Sequence, residues 1–164
     1  DNIILVLLCL NFFLYLIFNL GFIKNRKIFL GDSGSNFIGF FFSWILIYYA
    51  TPIKSFIHPV LTIWCITLPI FDFLNTIVLR VMSGNSPFKP DKMHIHHIVL
   101  RITKSSKKTL LILIFISLLL NALGGLIYFF LGSFMSLISY IIFFIIYYWI
   151  LNILRKKIHL QNFI

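Results

Sequence analysis

Two polar islands interrupt an apolar chain, and each carries residues able to do chemistry. The first is Gly31-Asp32-Ser33-Gly34-Ser35. The second is Ser86-Pro87-Phe88-Lys89-Pro90-Asp91-Lys92-Met93-His94-Ile95-His96-His97. Between them Asp72 stands inside an apolar run, followed by Thr76 and Arg80 at intervals of four. The chain has only four acidic residues, all aspartate, so an acid kept in or beside a membrane span is a functional candidate.

On a helix, Asp32, Asn36, Gly39 and Ser43 share one narrow face. That face has two readings. One is close packing of small residues with Asp32 as N-cap. The other is a metal carboxylate at a helix start, where free N–H groups and the dipole also favour phosphate. Asp72, Thr76 and Arg80 line one side of a second helix with Asn75 adjacent, Arg80 lying about 12 Å further along. This stripe is either a structural pairing with another helix or the wall of a water-accessible site. His94, His96 and His97 sit among Lys89, Lys92 and Arg101. The cysteines and spaced histidine pairs of a zinc site are absent there. Clustered imidazoles among cations suit a phosphate-rich ligand, and a basic loop touching anionic lipid heads is the plainer alternative.

The elements that must position these residues follow from the apolar runs. The chain is 164 residues, 60% hydrophobic and 18% aromatic, with a mean hydropathy of +1.02. A soluble domain this apolar would aggregate; a multi-span membrane protein would not. The net charge of +10 does not point to nucleic acid, because the bases cluster between apolar runs as membrane-flanking charges do. Cys9 and Cys65 lie within apolar runs and read as buried thiols. No basic segment precedes the first run, so no signal peptide is read there.

The expected fold is an all-α integral membrane protein: one membrane domain over 1–164, with about five transmembrane helices forming half of a polytopic bundle. The spans fall at about 3–23, 28–50, 56–82, 109–131 and 134–154. Pro59 and Pro69 are expected to kink the third. Spans four and five carry no internal charge; they are assigned no chemistry, and Asn121-Ala122-Leu123-Gly124-Gly125 reads as packing. The basic segments 24–27, 83–108 and 155–157 alternate with poorly charged turns. The positive-inside rule therefore puts them, and the loop 83–108, in the cytoplasm.

The stretches Ile28-Phe29-Leu30-Gly31-Asp32-Ser33-Gly34-Ser35, Pro69-Ile70-Phe71-Asp72 and the His94-containing island resemble those of the polyprenyl-phosphate N-acetylhexosamine-1-phosphate transferases. This is the WecA/MraY type of glycosyltransferase. Ser86-Pro87-Phe88 with His94-Ile95-His96-His97 is closer to the WecA branch. The resemblance covers about residues 12–101. It implies transfer of an N-acetylhexosamine-1-phosphate, such as GlcNAc-1-phosphate, from a UDP-sugar to undecaprenyl phosphate. That step would take place at the cytoplasmic face of the bacterial inner membrane and start a surface polysaccharide or cell-wall polymer.

By resemblance, Asp32 is the metal ligand, for Mg2+ with Mn2+ as the alternative, and Asp32 and Asp72 are the catalytic acids. Arg80, His94, His96 and His97 bind substrate. The implied partners are the UDP-N-acetyl sugar, undecaprenyl phosphate and the lipid bilayer, with a missing N-terminal half or a second copy of the chain, and no nucleic acid. The family's first half carries a paired aspartate and an Asn/Asp-rich loop that this sequence lacks, so the chain reads as a C-terminal half. A non-catalytic membrane fragment or subunit that binds anionic lipid is the competing reading. A transporter would show repeated halves with broken helices, and no repeat is seen.

Overall fold

In a computed structural model, the chain is described over residues 2–19, 30–51, 57–84, 86 and 94–161. The basic segment 24–27, most of the turn at 51–55 and the 87–93 part of the long loop lie outside the described residues. All elements among the described residues are helical. They are α1 (Asn2–Asn19), α2 (Gly31–Ala50), α3 (Pro59–Cys65), α4 (Thr67–Met82), α5 (Ile95–Thr103) and α6 (Ser106–Gln161). The chain divides into two compact units, Asp1–Tyr48 and Tyr49–Ile164.

In the first unit, α2 opens at Gly31, whose φ of +67° is a conformation that favours glycine. Asp32 then lies in the first turn, where a negative charge complements the helix dipole. The hydroxyls of Ser35 and Ser43 donate to the carbonyls of Asp32 and Gly39, at 2.9 and 2.8 Å. They thus satisfy themselves on their own helix.

In the second unit the third apolar run is broken, not merely kinked. α3 and α4 meet at Ile66 and are bent by 74°. Pro59 begins α3, where its missing N–H costs nothing. Pro69 lies three residues beyond the break. Its ring and missing N–H forbid an α-helical bond to Cys65, four residues back, so the helix ends at Cys65 and restarts at Thr67.

The long α6 has its own break at Gly132, with φ 81° and ψ 179°, backbone that only glycine adopts readily. Leu113 and Ile116 before the break share one core cluster with Tyr147, Leu151 and Leu154 after it. A straight helix could not bring them together, so the two arms fold back on each other.

One face of the second arm organises the core. Trp64, 1% exposed, donates its indole N–H to the Ser136 hydroxyl at 2.9 Å. It meets the rings of Tyr140 and Phe143 edge-on at 5.1 and 5.7 Å. Phe71, fully buried, contacts Tyr140, Phe144 and Tyr147 with centroids 4.9 to 5.5 Å apart. On the first arm, Gly124 gives Trp64 its room, since a Cβ there would run into the indole ring.

Beside its apolar core, the chain buries several polar residues and exposes many large apolar ones. Thr67, Asn75, Thr76 and Ser136 are buried, while Phe129, Phe130, Phe134 and Trp149 are exposed. Such an apolar surface is the kind that a lipid solvent would accommodate. Among the described residues, α6 is long and apolar enough over Ser106–Lys156 to cross a bilayer, and α3 and α4 together pass the same criterion.

Candidate functional site

The site is assembled on Asp72, in the second turn of α4. Its side chain is 14% exposed and its oxygens receive three donors, two from the start of α5 and one from α6. Oδ2 lies 2.9 Å from Nδ1 of His94. Oδ1 accepts from the backbone N–H of Ile95 at 2.8 Å and from the Tyr147 hydroxyl at 3.4 Å. Part of the loop expected over 83–108 is therefore helix. His94 is the N-cap of α5, but its own side chain does not cap; the carboxylate of a distant helix does so instead. Such an anion is favoured at a helix N-terminus both by the orphan N–H and by the dipole.

α5 is held from its other side by apolar burial. Ile95, Ile98 and Val99, at the helical spacing of one face, pack with Leu68 and Leu151. Lys104 ends the helix in the left-handed region, φ 52°. Ser105 then accepts from the backbone N–H of Lys108 and caps the start of α6.

With α5 so placed, the three histidines form one contiguous set of rings at its start. His94 and His96 stack at 5.7 Å with planes 11° apart, and His96 lies 4.1 Å from His97. Partial burial holds His96 below the usual histidine range, and the neighbouring His97 and His94 add to this, while Asp72 opposes it. Imidazoles grouped at a helix N-terminus can donate to the oxygens of a phosphate, and the dipole favours the same anion.

Of the sequence-predicted residues, the structure thus joins Asp72, His94, His96 and His97. Arg80 lies in the last turn of α4, on the same helix as Asp72. Asp32 belongs to the other unit, exposed in the first turn of α2. Among the described residues no group of three or more His, Cys, Asp or Glu could hold a metal ion.

The fifth apolar run, assigned no chemistry from the sequence, supplies Tyr147 to the cluster. It also continues into Arg155, which the sequence reading treated as a membrane-flanking charge. With the Asn75 amide oxygen turned toward it, Arg155 donates through both terminal nitrogens, at 3.3 and 2.8 Å. Asn75 is fully buried, so this contact satisfies a group that would otherwise be costly. The signal for both residues was their helical register with Tyr140 and Leu151, which only the fold-back of α6 makes meaningful. An apolar groove of about 320 Å³ opens beside the cluster, lined by Ile95, Val99, Ile116, Tyr147 and Leu151 among others.

Comparison with known proteins agrees with the motifs. The chain is 38% identical over 112 residues to an undecaprenyl-phosphate alpha-N-acetylglucosaminyl 1-phosphate transferase of Haemophilus influenzae, covering 67% of this chain and 32% of that protein. The similarly named protein of Escherichia coli O157:H7 is 33% identical over 136 residues, 81% of this chain and 37% of the relative. That of Escherichia coli K12 is 36% identical over 111 residues, 67% of this chain and 30% of the relative. The chain spans about a third of the length of these curated relatives. No family model matches the chain, and no solved structure matches it. Over about two thirds of its length, the chain is thus similar to undecaprenyl-phosphate alpha-N-acetylglucosaminyl 1-phosphate transferases, in keeping with its resemblance to the WecA type of polyprenyl-phosphate N-acetylhexosamine-1-phosphate transferases.

Proposed function

We propose that this chain carries part of the site at which an N-acetylhexosamine-1-phosphate passes from a UDP-sugar to undecaprenyl phosphate. The observation that carries the reading is the histidine set docked on Asp72 at the start of α5. It is a phosphate-binding arrangement, on residues belonging to the motif by which the chain resembles its relatives. The names of those relatives favour the transferase over a non-catalytic, lipid-binding subunit.

The chemistry asks for neutralisation, because two phosphate-bearing anions must meet. His94, His96 and His97 would hold the diphosphate of the sugar nucleotide. Arg80, in the last turn of α4, would add a fixed cation. The groove beside Tyr147 would take apolar chain from the lipid acceptor. Mg2+ would supply further charge neutralisation when bound, and it commonly uses one or two carboxylates with phosphate oxygens. Asp32 fits that role, being an exposed carboxylate in the first turn of a helix. Asp72 does not, since both of its oxygens are already engaged by protein donors. Its part is therefore to hold the histidines rather than to coordinate metal. In this reading the chain lies in the bacterial inner membrane in about five spans, α6 crossing twice around Gly132, with the histidines on the cytoplasmic side.

The test is a chimera in which this chain replaces the homologous segment of the Escherichia coli K12 relative, expressed in a host lacking its own transferase. Membranes receive labelled UDP-GlcNAc, undecaprenyl phosphate and Mg2+. Labelled lipid that EDTA abolishes is expected. A chimera that inserts normally yet neither binds UDP-GlcNAc nor makes labelled lipid would refute the reading.

A further inference from the structure

Tyr147 is a hydroxyl the sequence has little reason to keep. It stands in the run Phe143-Phe144-Ile145-Ile146-Tyr147-Tyr148-Trp149. Its ring packs on Phe71 at 5.5 Å with planes 51° apart and lines the apolar groove. Phenylalanine would serve those contacts equally well. The hydroxyl instead reaches Oδ1 of Asp72, the same oxygen that accepts from the Ile95 N–H, and leaves Oδ2 to Nδ1 of His94. A carboxylate held by two donors on one oxygen cannot swing about its Cβ without losing them. Its second oxygen is therefore presented to the imidazole in one direction. Against a carboxylate, Nδ1 must be the donor, so a neutral His94 carries its proton there and leaves Nε2 bare.

We propose that Tyr147 is a positioning residue: acting through Asp72, it locks His94 in the Nδ1–H tautomer and presents Nε2 as the ring nitrogen that meets substrate phosphate. The role for Nε2 rests on the transferase reading above; the tautomer does not, and the two fail separately. In this scheme the Tyr147 ring lines the groove, while its hydroxyl meets no phosphate and acts only through Asp72. Its effect is to keep one imidazole in one orientation before substrate arrives, which removes a reorganisation step.

The experiment is nitrogen-15 NMR of histidine-labelled chain in phospholipid nanodiscs at about pH 8, above the ordinary histidine range, with His94 assigned by His94→Gln. The unmutated chain is expected to show a protonated Nδ1 and an unprotonated Nε2. Tyr147→Phe keeps the ring contact with Phe71 and is expected to raise the minor tautomer about fivefold, the effect of one lost hydrogen bond. Asp72→Asn is expected to raise it further. In the chimera, Tyr147→Phe is expected to lower kcat about fivefold, with the KM for UDP-GlcNAc changed less than about twofold. A protonated Nε2 in the unmutated chain overturns the proposal even if the variant does not fold. A folded Tyr147→Phe with the parent's His94 pattern also overturns it. A chimera without any turnover would count against the transferase reading, while the His94 spectrum would still decide the tautomer.

Discussion

Removing the Asp72 carboxylate should loosen the first turn of α5 and little else. The carboxylate gives Ile95 its capping acceptor at 2.8 Å, and losing such a cap costs about 1 kcal/mol. It also makes a charge-assisted bond to His94 at 2.9 Å, a type worth about 1.5–3 kcal/mol. The Tyr147 contact, at 3.4 Å, is long and contributes least. These terms share one carboxylate and do not simply add, so Asp72→Ala should cost about 2–4 kcal/mol locally. At 1.4 kcal/mol for each tenfold, amide exchange of Ile95, His97 and Ile98 should speed up about 30- to 1,000-fold. Asp72→Asn retains a neutral acceptor for the Ile95 N–H and should fall between parent and alanine variant. The amides from Val99 onward should change far less, because burial of Ile95, Ile98 and Val99 against Leu68 and Leu151 holds the body of the helix. The assay is hydrogen exchange by mass spectrometry or NMR in nanodiscs. If Asp72→Ala leaves the Ile95 and His97 amides within about twofold of the parent, the carboxylate does not cap α5 and the positioning argument falls.

His96 should titrate with a midpoint below the usual 6.5, because burial and the neighbouring His97 and His94 disfavour its charge. The folded form then binds fewer protons than the unfolded one between its own midpoint and 6.5. Docking of α5 should accordingly weaken as pH falls through that window and be insensitive to His96 above it; proton NMR of the ring gives the midpoint, and one above 6.5 would contradict the packing. Gly124→Ala should destabilise by about 1–3 kcal/mol, since its Cβ meets the buried Trp64 ring. Gly125→Ala, where a Cβ meets nothing, should be neutral or stabilising by up to about 1 kcal/mol. Thermal unfolding in detergent separates the two, and equal losses would place Trp64 elsewhere. In the chimera, Asp32→Asn should raise the Mg2+ concentration needed for half-maximal transfer about tenfold or more, as expected when a ligand carboxylate is lost; an unchanged Mg2+ requirement would remove Asp32 from the metal site.

Much of the architecture is written in composition and punctuation. Apolar runs longer than a dozen residues can only be helices, whether their solvent is lipid or core. Gly132 marks the turn within α6 because its φ of 81° is open to glycine and costly for other residues. Pro69 announces a discontinuity in the third run. The sequence cannot say that this discontinuity is a 74° break at Ile66 rather than a gentle kink, because that depends on where Trp64 and Phe71 find partners. The histidine island was legible as a candidate site, since polar residues are expensive in such a chain. Its partial folding into a nine-residue helix was less so. Helices that short are marginal alone, and α5 draws its stability from a carboxylate and an apolar face that lie elsewhere in the chain.

By itself, then, the sequence determined the helical class, the turn at Gly132, the polar islands and the kinship they carry. These are properties of local stereochemistry, solvent preference and residue order. Only the tertiary structure decided which groups the Asp72 carboxylate meets. In the sequence, this lone aspartate reads either as a structural partner of another helix or as part of the wall of a water-accessible site. The choice was made by which donors came within reach: His94 and Ile95 from 22 and 23 residues away, and Tyr147 from 75. A hydrogen bond depends on distances of a few tenths of an ångström, and separation along the chain carries no information about them until the helices have packed.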